Sequence, residues 1–223
     1  MTKSVKLSSL MATMTVAIML FSGCKKSNNN EPLESGSFNG RISATVESGG
    51  AVEVGAWFDV EITTTAVNGW IVAESNYNNG GFSFVLPDIP DQYLKDIDKF
   101  FEKTLLVTGK LTYSNKDAKI VHIDFLGFNE YDRLVGYYIY ASSDRSTLCF
   151  FVYVNKDVDI TGGKNIKVSL KEGWNRIYYS EAGEGMVTTK AQDGMKWHFR
   201  TPQPTRSSSS TSKIVKGEYI VVD

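Results

Sequence analysis

Residues 147–154 read TLCFFVYV, from Thr147 to Val154, with an apolar or aromatic side chain at almost every position. A strand with one face in water alternates polar and apolar residues, so a run that is apolar on both parities belongs to a strand covered on both faces. β-branched and aromatic residues dominate it, and eight residues is a strand's length. The stretch predicts a strand at the centre of a core, and a chain organised around such a strand is mostly β.

On either side, Lys110 to Ser114, Lys119 to Phe128, Leu134 to Ser142, Asn165 to Lys171, Asn175 to Ser180, Gly185 to Thr189 and Met195 to Arg200 share strand composition. The serine run at Ser207 to Ser212 reads as a long loop before a returning strand at Glu218 to Val222. Upstream, Ile42 to Val46 alternates, as does Val52-Glu53-Val54 running into Ala56-Trp57-Phe58, with Gly49-Gly50 between them. Two such runs around a glycine turn predict a hairpin. Trp70 to Ala73 and Phe82 to Leu86 read as the next two strands. Asp91 to Lys103 changes period: Leu94, Ile97 and Phe101 recur at helical spacing, and Asp91 after Pro90 fits an N-cap. This predicts one α-helix over residues 91–103, its apolar stripe closing an open edge. The expected fold is a mostly β, antiparallel β-sandwich. It is either one domain or two packed β subdomains, an N-terminal part over 38–108 and a C-terminal part over 109–223.

Gly80 to Pro90, GGFSFVLPDIP, enters on two glycines, alternates aromatics and exits through proline. It resembles the transthyretin-like, carboxypeptidase-regulatory type of β-sandwich, in which a G-x-F strand leads to an L-P turn. The resemblance spans about residues 40 to 90. Leu170 to Tyr179, LKEGWNRIYY, is similar to a strand-turn-strand of lipoproteins from Bacteroidota-type bacteria. Neither resemblance implies a catalytic residue.

The N-terminus points the same way. Lys3 and Lys6 precede the apolar run Leu10 to Phe21, LMATMTVAIMLF, and small residues Ser22 and Gly23 follow it. This is signal-peptide organisation over residues 1–23. The run is too short to span a bilayer before it meets Cys24, Lys25 and Lys26. Phe21-Ser22-Gly23-Cys24 resembles the bacterial lipoprotein signal, which implies a diacylglyceryl group on the Cys24 sulfur and acylation of its new amine. Two or more chains anchor a protein stably. The other reading is an ordinary signal peptide with Cys24 destined for a disulfide. Residues 24–37, rich in Asn, Ser and charge, read as a flexible tether. The implied location is the outer membrane, facing the periplasm or the cell surface.

Without residues 1–23 the chain carries 22 basic and 25 acidic side chains, a net charge of −3. With no basic cluster among aromatics, that excludes a nucleic-acid footprint. Cys149 lies inside the apolar run and reads as a small buried hydrophobe, the alternative being a thiol nucleophile. No G-x-S-x-G or H-E-x-x-H motif occurs. In Val121 to Phe125 the alternation puts His122 and Asp124 on one face, a general-base pair, half a metal site, or a surface pair. His198 reads as solvated. Asn155 to Gly163 places side-chain oxygens at alternate positions before glycines, as a calcium loop does, but a turn explains it equally. Glu130, Asp132, Glu181 and Glu184 are the acids nearest aromatic loops; a glycosidase would need two of them across a sugar.

Four tryptophans and eleven tyrosines leave sugar platforms, protein anchors or core. Trp70, after Asn68-Gly69, and Trp174, after Gly173, are the expected exposed ligand-binding residues, while Tyr137, Tyr138 and Tyr140 are expected to cover the sandwich. No catalytic residue, metal or cofactor is assigned. The leading expectation is a lipid-anchored, noncatalytic binding or accessory module for a glycan or an envelope protein. The alternatives are an envelope hydrolase and an assembly subunit that pairs through a strand edge.

Overall fold

The TLCFFVYV stretch forms a strand between two hydrophobic clusters. Phe151 and Tyr153 enter one cluster, and Val152 and Val154 enter the other. The structure is a computed structural model that describes residues 34–46, 51–63, 66–103, 105, 109–163, 165–180, 185–201 and 214–222. The signal segment, Cys24, Gly49-Gly50, Glu181, Glu184 and the serine run lie outside the described residues. Leu33–Asp223 forms one compact unit.

In chain order the elements are β1 (Arg41–Thr45), β2 (Glu53–Ile62), β3 (Ala66–Asn76), β4 (Gly81–Val85), β5 (Lys95–Asp96), α1 (Ile97–Lys103), β6 (Leu111–Tyr113), β7 (Lys119–Phe128), β8 (Leu134–Ser142), β9 (Thr147–Val154), β10 (Val158–Gly162), β11 (Ile166–Leu170), β12 (Gly173–Ser180), β13 (Met186–Thr188), β14 (Met195–Arg200) and β15 (Val215–Val221). A 13-stranded sheet runs β15-β3-β2-β7-β8-β9-β12-β13-β11-β10-β6, with β14 on β8 and β5 on β7. β1 and β4 form a separate two-stranded layer. Its inward Ile42, Ala44, Phe82 and Phe84 share a cluster with Phe125, Tyr138 and Phe151 of the large sheet. This is a mostly β, sandwich-like fold, as expected.

Six expectations change in detail. The first hairpin does not form: β1 pairs with β4, and β2 pairs with β3 and β7. The helix covers only Ile97–Lys103, after a 3-10 turn at Asp91–Tyr93 and the short β5. Asp91 is no cap for it, because its carboxylate accepts from Asn155 Nδ2 at 3.1 Å. The helix's Ile97, Phe100 and Phe101 cover a face of the sheet beside Ile120 and Val154, not an edge. Asn155 to Gly163 holds a strand, since Val158 and Ile160 are buried while Asp159 and Thr161 are exposed. β15 and β13 pair in parallel with β3 and β11, departing from a wholly antiparallel sheet.

The end of the expected tether also belongs to the fold. Ser35 and Ser37 bridge to Ser169 and Asn175, and Arg176 N donates to Gly36 O at 2.9 Å. A Cβ on Gly36 would sit 2.4 Å from Arg176 O, so only glycine permits that approach. The boundary between 108 and 109 separates no sheets, because β2 of the first part pairs with β7 of the second and β15 returns to β3.

Lys216 holds that returning strand. Its side chain is 9% exposed, and its ammonium bonds Glu53, reaches Glu74 at 3.0 Å and lies 4.9 Å from the Phe128 ring centroid. Burial alone would lower its pKa, but the Glu53 and Glu74 carboxylates outweigh that and hold it above the ordinary 10.5. A raised pKa contributes stability in full below 10.5 and loses it as pH climbs through the higher folded value. Lys216→Gln is expected to cost about 1–2 kcal/mol, less than a fully buried pair because Glu53 and Glu74 stay 30% and 40% exposed. The urea-midpoint difference from wild type should hold constant from about pH 7 to 10 and shrink only above the ordinary lysine pKa. A difference already shrinking at neutral pH would contradict the carboxylate clamp.

Candidate functional site

The tryptophans do not present sugar platforms. Trp57 is fully buried. Trp174, expected to be exposed, is only 4% accessible. Gly173 does turn the chain, with φ +98, yet β12 then carries Trp174 inward. There its Nε1 donates to Pro87 O at 2.9 Å, and its ring meets Tyr153 edge-on at 5.3 Å. Trp70 is half-buried, stacked on Phe58 at 6.0 Å and packed against Tyr93 at 4.6 Å. Trp197 stacks on Phe151 at 5.6 Å, with an interplanar angle of 9°.

What the fold does assemble is a cleft of about 270 Å³ at the open side of the sandwich. Ile42, Ser43 and Thr45 of β1 form one wall, and Met195, Lys196 and Trp197 of β14 form the other. Tyr140, Phe151 and Arg176 line the space between them. Strand parity explains the set: Trp197 pairs with Tyr140, and Arg176 pairs with Phe151, so these side chains point to the same side of the sheet. Tyr140 was expected only to cover the sandwich, and Arg176 was not singled out. Its signal was present, since it shares the parity of Trp174 and Tyr178, two inward aromatics.

Arg176 stands out electrostatically. Its guanidinium lies 4.6 Å from the Phe38 ring centroid and 5.7 Å from that of Phe151, which stabilises the cation through the ring faces. Its Nε is buried without a hydrogen-bond partner among the described residues. None of the described residues that line the cleft is acidic. Cys149 is partly buried on the same side, and desolvation pushes its thiol well above the usual range, with Arg176 opposing weakly. That leaves little thiolate for nucleophilic attack.

The other candidates are dispersed. His122 and Asp124 do share a face, Nε2 to Oδ2 at 3.7 Å. Desolvation raises the Asp124 carboxyl above its ordinary range, and the neighbouring His122 opposes the rise. His122 lines a pocket of about 190 Å³ with Phe100 and Ile120, where Lys95 is paired with Asp59. Among the described residues no serine, threonine or cysteine lines it. In the suspected calcium segment the oxygens serve separate neighbours: Asn155 Oδ1 accepts from Lys119 N, and Asp157 accepts from Lys171 and Glu172. No group of three metal-ligating side chains occurs among the described residues. Asp132 and Glu130 sit on an exposed turn, and Asp132 lies 3.8 Å from Lys216. His198 is partly buried, its Nε2 3.2 Å from Ser142 O. Among the described residues no helix is long and apolar enough to cross a membrane. Comparison with protein-family models, curated proteins and solved structures finds no match.

Proposed function

We propose that the protein is a noncatalytic β-sandwich binding module of the cell envelope, lipid-anchored at Cys24, that holds a protein ligand in the cleft between β1 and β14. The observation that carries this reading is the cleft itself, with an aromatic lining, a half-buried arginine against two ring faces and no acid among its described residues. Cations seated against aromatic rings recur as anchors of protein interfaces. A glycan fits less well, because sugar recognition uses an open ring face. Trp174 is buried and Trp197 is covered by Phe151. The hydrolase reading is served less well, because the one carboxylate among the described residues of the His122 pocket, Asp59, is paired with Lys95, and a glycosidase uses two carboxyls.

The test is tryptophan emission of the full-length chain, titrated with a panel of envelope glycans and of unstructured peptides. A saturable change with peptides is expected, and Arg176→Gln should weaken it about tenfold, the size of a lost charge-assisted contact. An identical response from wild type and Arg176→Gln, or none from either panel, would remove the cleft from consideration. Incorporation of a labelled fatty acid, abolished by Cys24→Ser, checks the anchor separately.

A further inference from the structure

The wall that β1 contributes to the cleft is a strand edge with no partner among the described residues. β1 meets β4 in the register Arg41↔Val85 through Thr45↔Gly81. Just beyond its ends, Gly40 O accepts from Leu86 N at 3.1 Å and Val46 N donates to Gly80 O at 2.7 Å. The even-numbered residues therefore exchange hydrogen bonds with β4. In an antiparallel ladder the intervening residues turn N–H and C=O away from their partner, and here these are Arg41, Ser43 and Thr45. The Arg41 amide is taken by Asn39 Oδ1 at 3.1 Å. Ser43 and Thr45 remain, and both line the cleft.

A backbone edge of this kind is a template for another strand unless something blunts it. Nothing among the described residues pairs with it. Two donors and two acceptors at the strand repeat match a polypeptide backbone, not the irregular hydroxyls of a sugar. The charge around them is one-sided: Arg176 lines the cleft with no acid beside it among the described residues.

Resting on the binding-module reading, we infer that the ligand is an extended polypeptide segment bearing an acidic side chain, which adds as a strand to the free edge of β1. Its main chain bonds the outward N–H and C=O groups of Ser43 and Thr45. Alternate side chains enter the cleft, an apolar one against Trp197 and Tyr140 and the acidic one toward Arg176.

The probe is a phage-displayed library of random dodecapeptides, selected on the full-length chain, with selected sequences then synthesised. Peptides carrying Asp or Glu at a fixed offset from an apolar residue are expected. Ser43→Pro, which removes one outward N–H from an edge strand where proline is tolerated, should weaken them at least tenfold. Ser43→Ala should change binding less than twofold, since only the backbone is read. Methylating alternate peptide amides provides a second measurement on unaltered protein. One parity should abolish binding and the other leave it intact, so the outcome does not depend on Ser43→Pro folding. Binding that needs Arg176 yet ignores Ser43→Pro and both methylation parities would overturn strand addition while leaving the cleft a ligand site. Saturable glycan binding with no peptide enriched would overturn the partner class, and absence of any binder would overturn the binding-module reading as well.

Discussion

Phe125→Ala is expected to lower the free energy of unfolding by about 3–5 kcal/mol, the range for deleting a large aromatic side chain from a core. Phe125 is 4% exposed, on β7 at the centre of the large sheet. Its ring lies 5.8 Å from Phe84, 5.5 Å from Phe151 and 5.1 Å from Trp197. Phe84 belongs to the separate β1/β4 layer, so Phe125, like Phe82 against Tyr138 and Trp197, helps join the two layers. Removing it leaves a cavity that β-sheet backbones on both sides cannot close without breaking ladders. Urea denaturation followed by circular dichroism measures the loss, and amide exchange should show β1 and β4 losing protection first. A loss below about 1 kcal/mol would mean that the two layers are not held together by this aromatic cluster.

Trp174→Ala is expected to cost a similar amount, about 3–5 kcal/mol, or roughly 10 °C in melting temperature for a chain of this size. The indole fills the space beside Tyr153 and donates to Pro87 O at 2.9 Å. It also backs onto Gly40, where an added Cβ would lie 3.2 Å from Trp174 Cδ1. Deletion thus removes buried area, leaves the Pro87 carbonyl unpartnered and frees the segment leading from β4. Trp174→Phe should recover most of the packing but not the hydrogen bond, leaving a deficit of about 1 kcal/mol. If Trp174→Ala instead melted with wild type and only weakened ligand binding, Trp174 would be a surface residue after all.

The contrast between Trp174 and TLCFFVYV shows where the sequence stops informing. In TLCFFVYV both parities are apolar, so the strand is covered whichever way it faces, and its central place needs no knowledge of its partners. Asn175 to Ser180 alternates less clearly, and Gly173 before Trp174 signals a turn without saying whether the next side chain faces water or the other layer. The expected site therefore failed at Trp174 through orientation, not through local structure. His122 and Asp124 came out on one face because period two alone guarantees it. The cleft was not legible: Arg176, Tyr140, Trp197 and Ser43 come from four strands far apart in the chain.

Periodicity, composition and turn chemistry determined by themselves that the chain is mostly β and where nearly every long strand lies. These are local properties, set within a few residues by side-chain alternation and backbone preference. Tertiary structure alone decided that β1 joins β4 and not β2, that the Asn155 to Gly163 segment is a strand, that residues 34–37 belong to the fold, and that Arg176 and β1 line one cleft. Each of those depends on which distant strand supplies the hydrogen bonds and the covering face. Such pairing is selected by the packing of the whole core, not by any one segment.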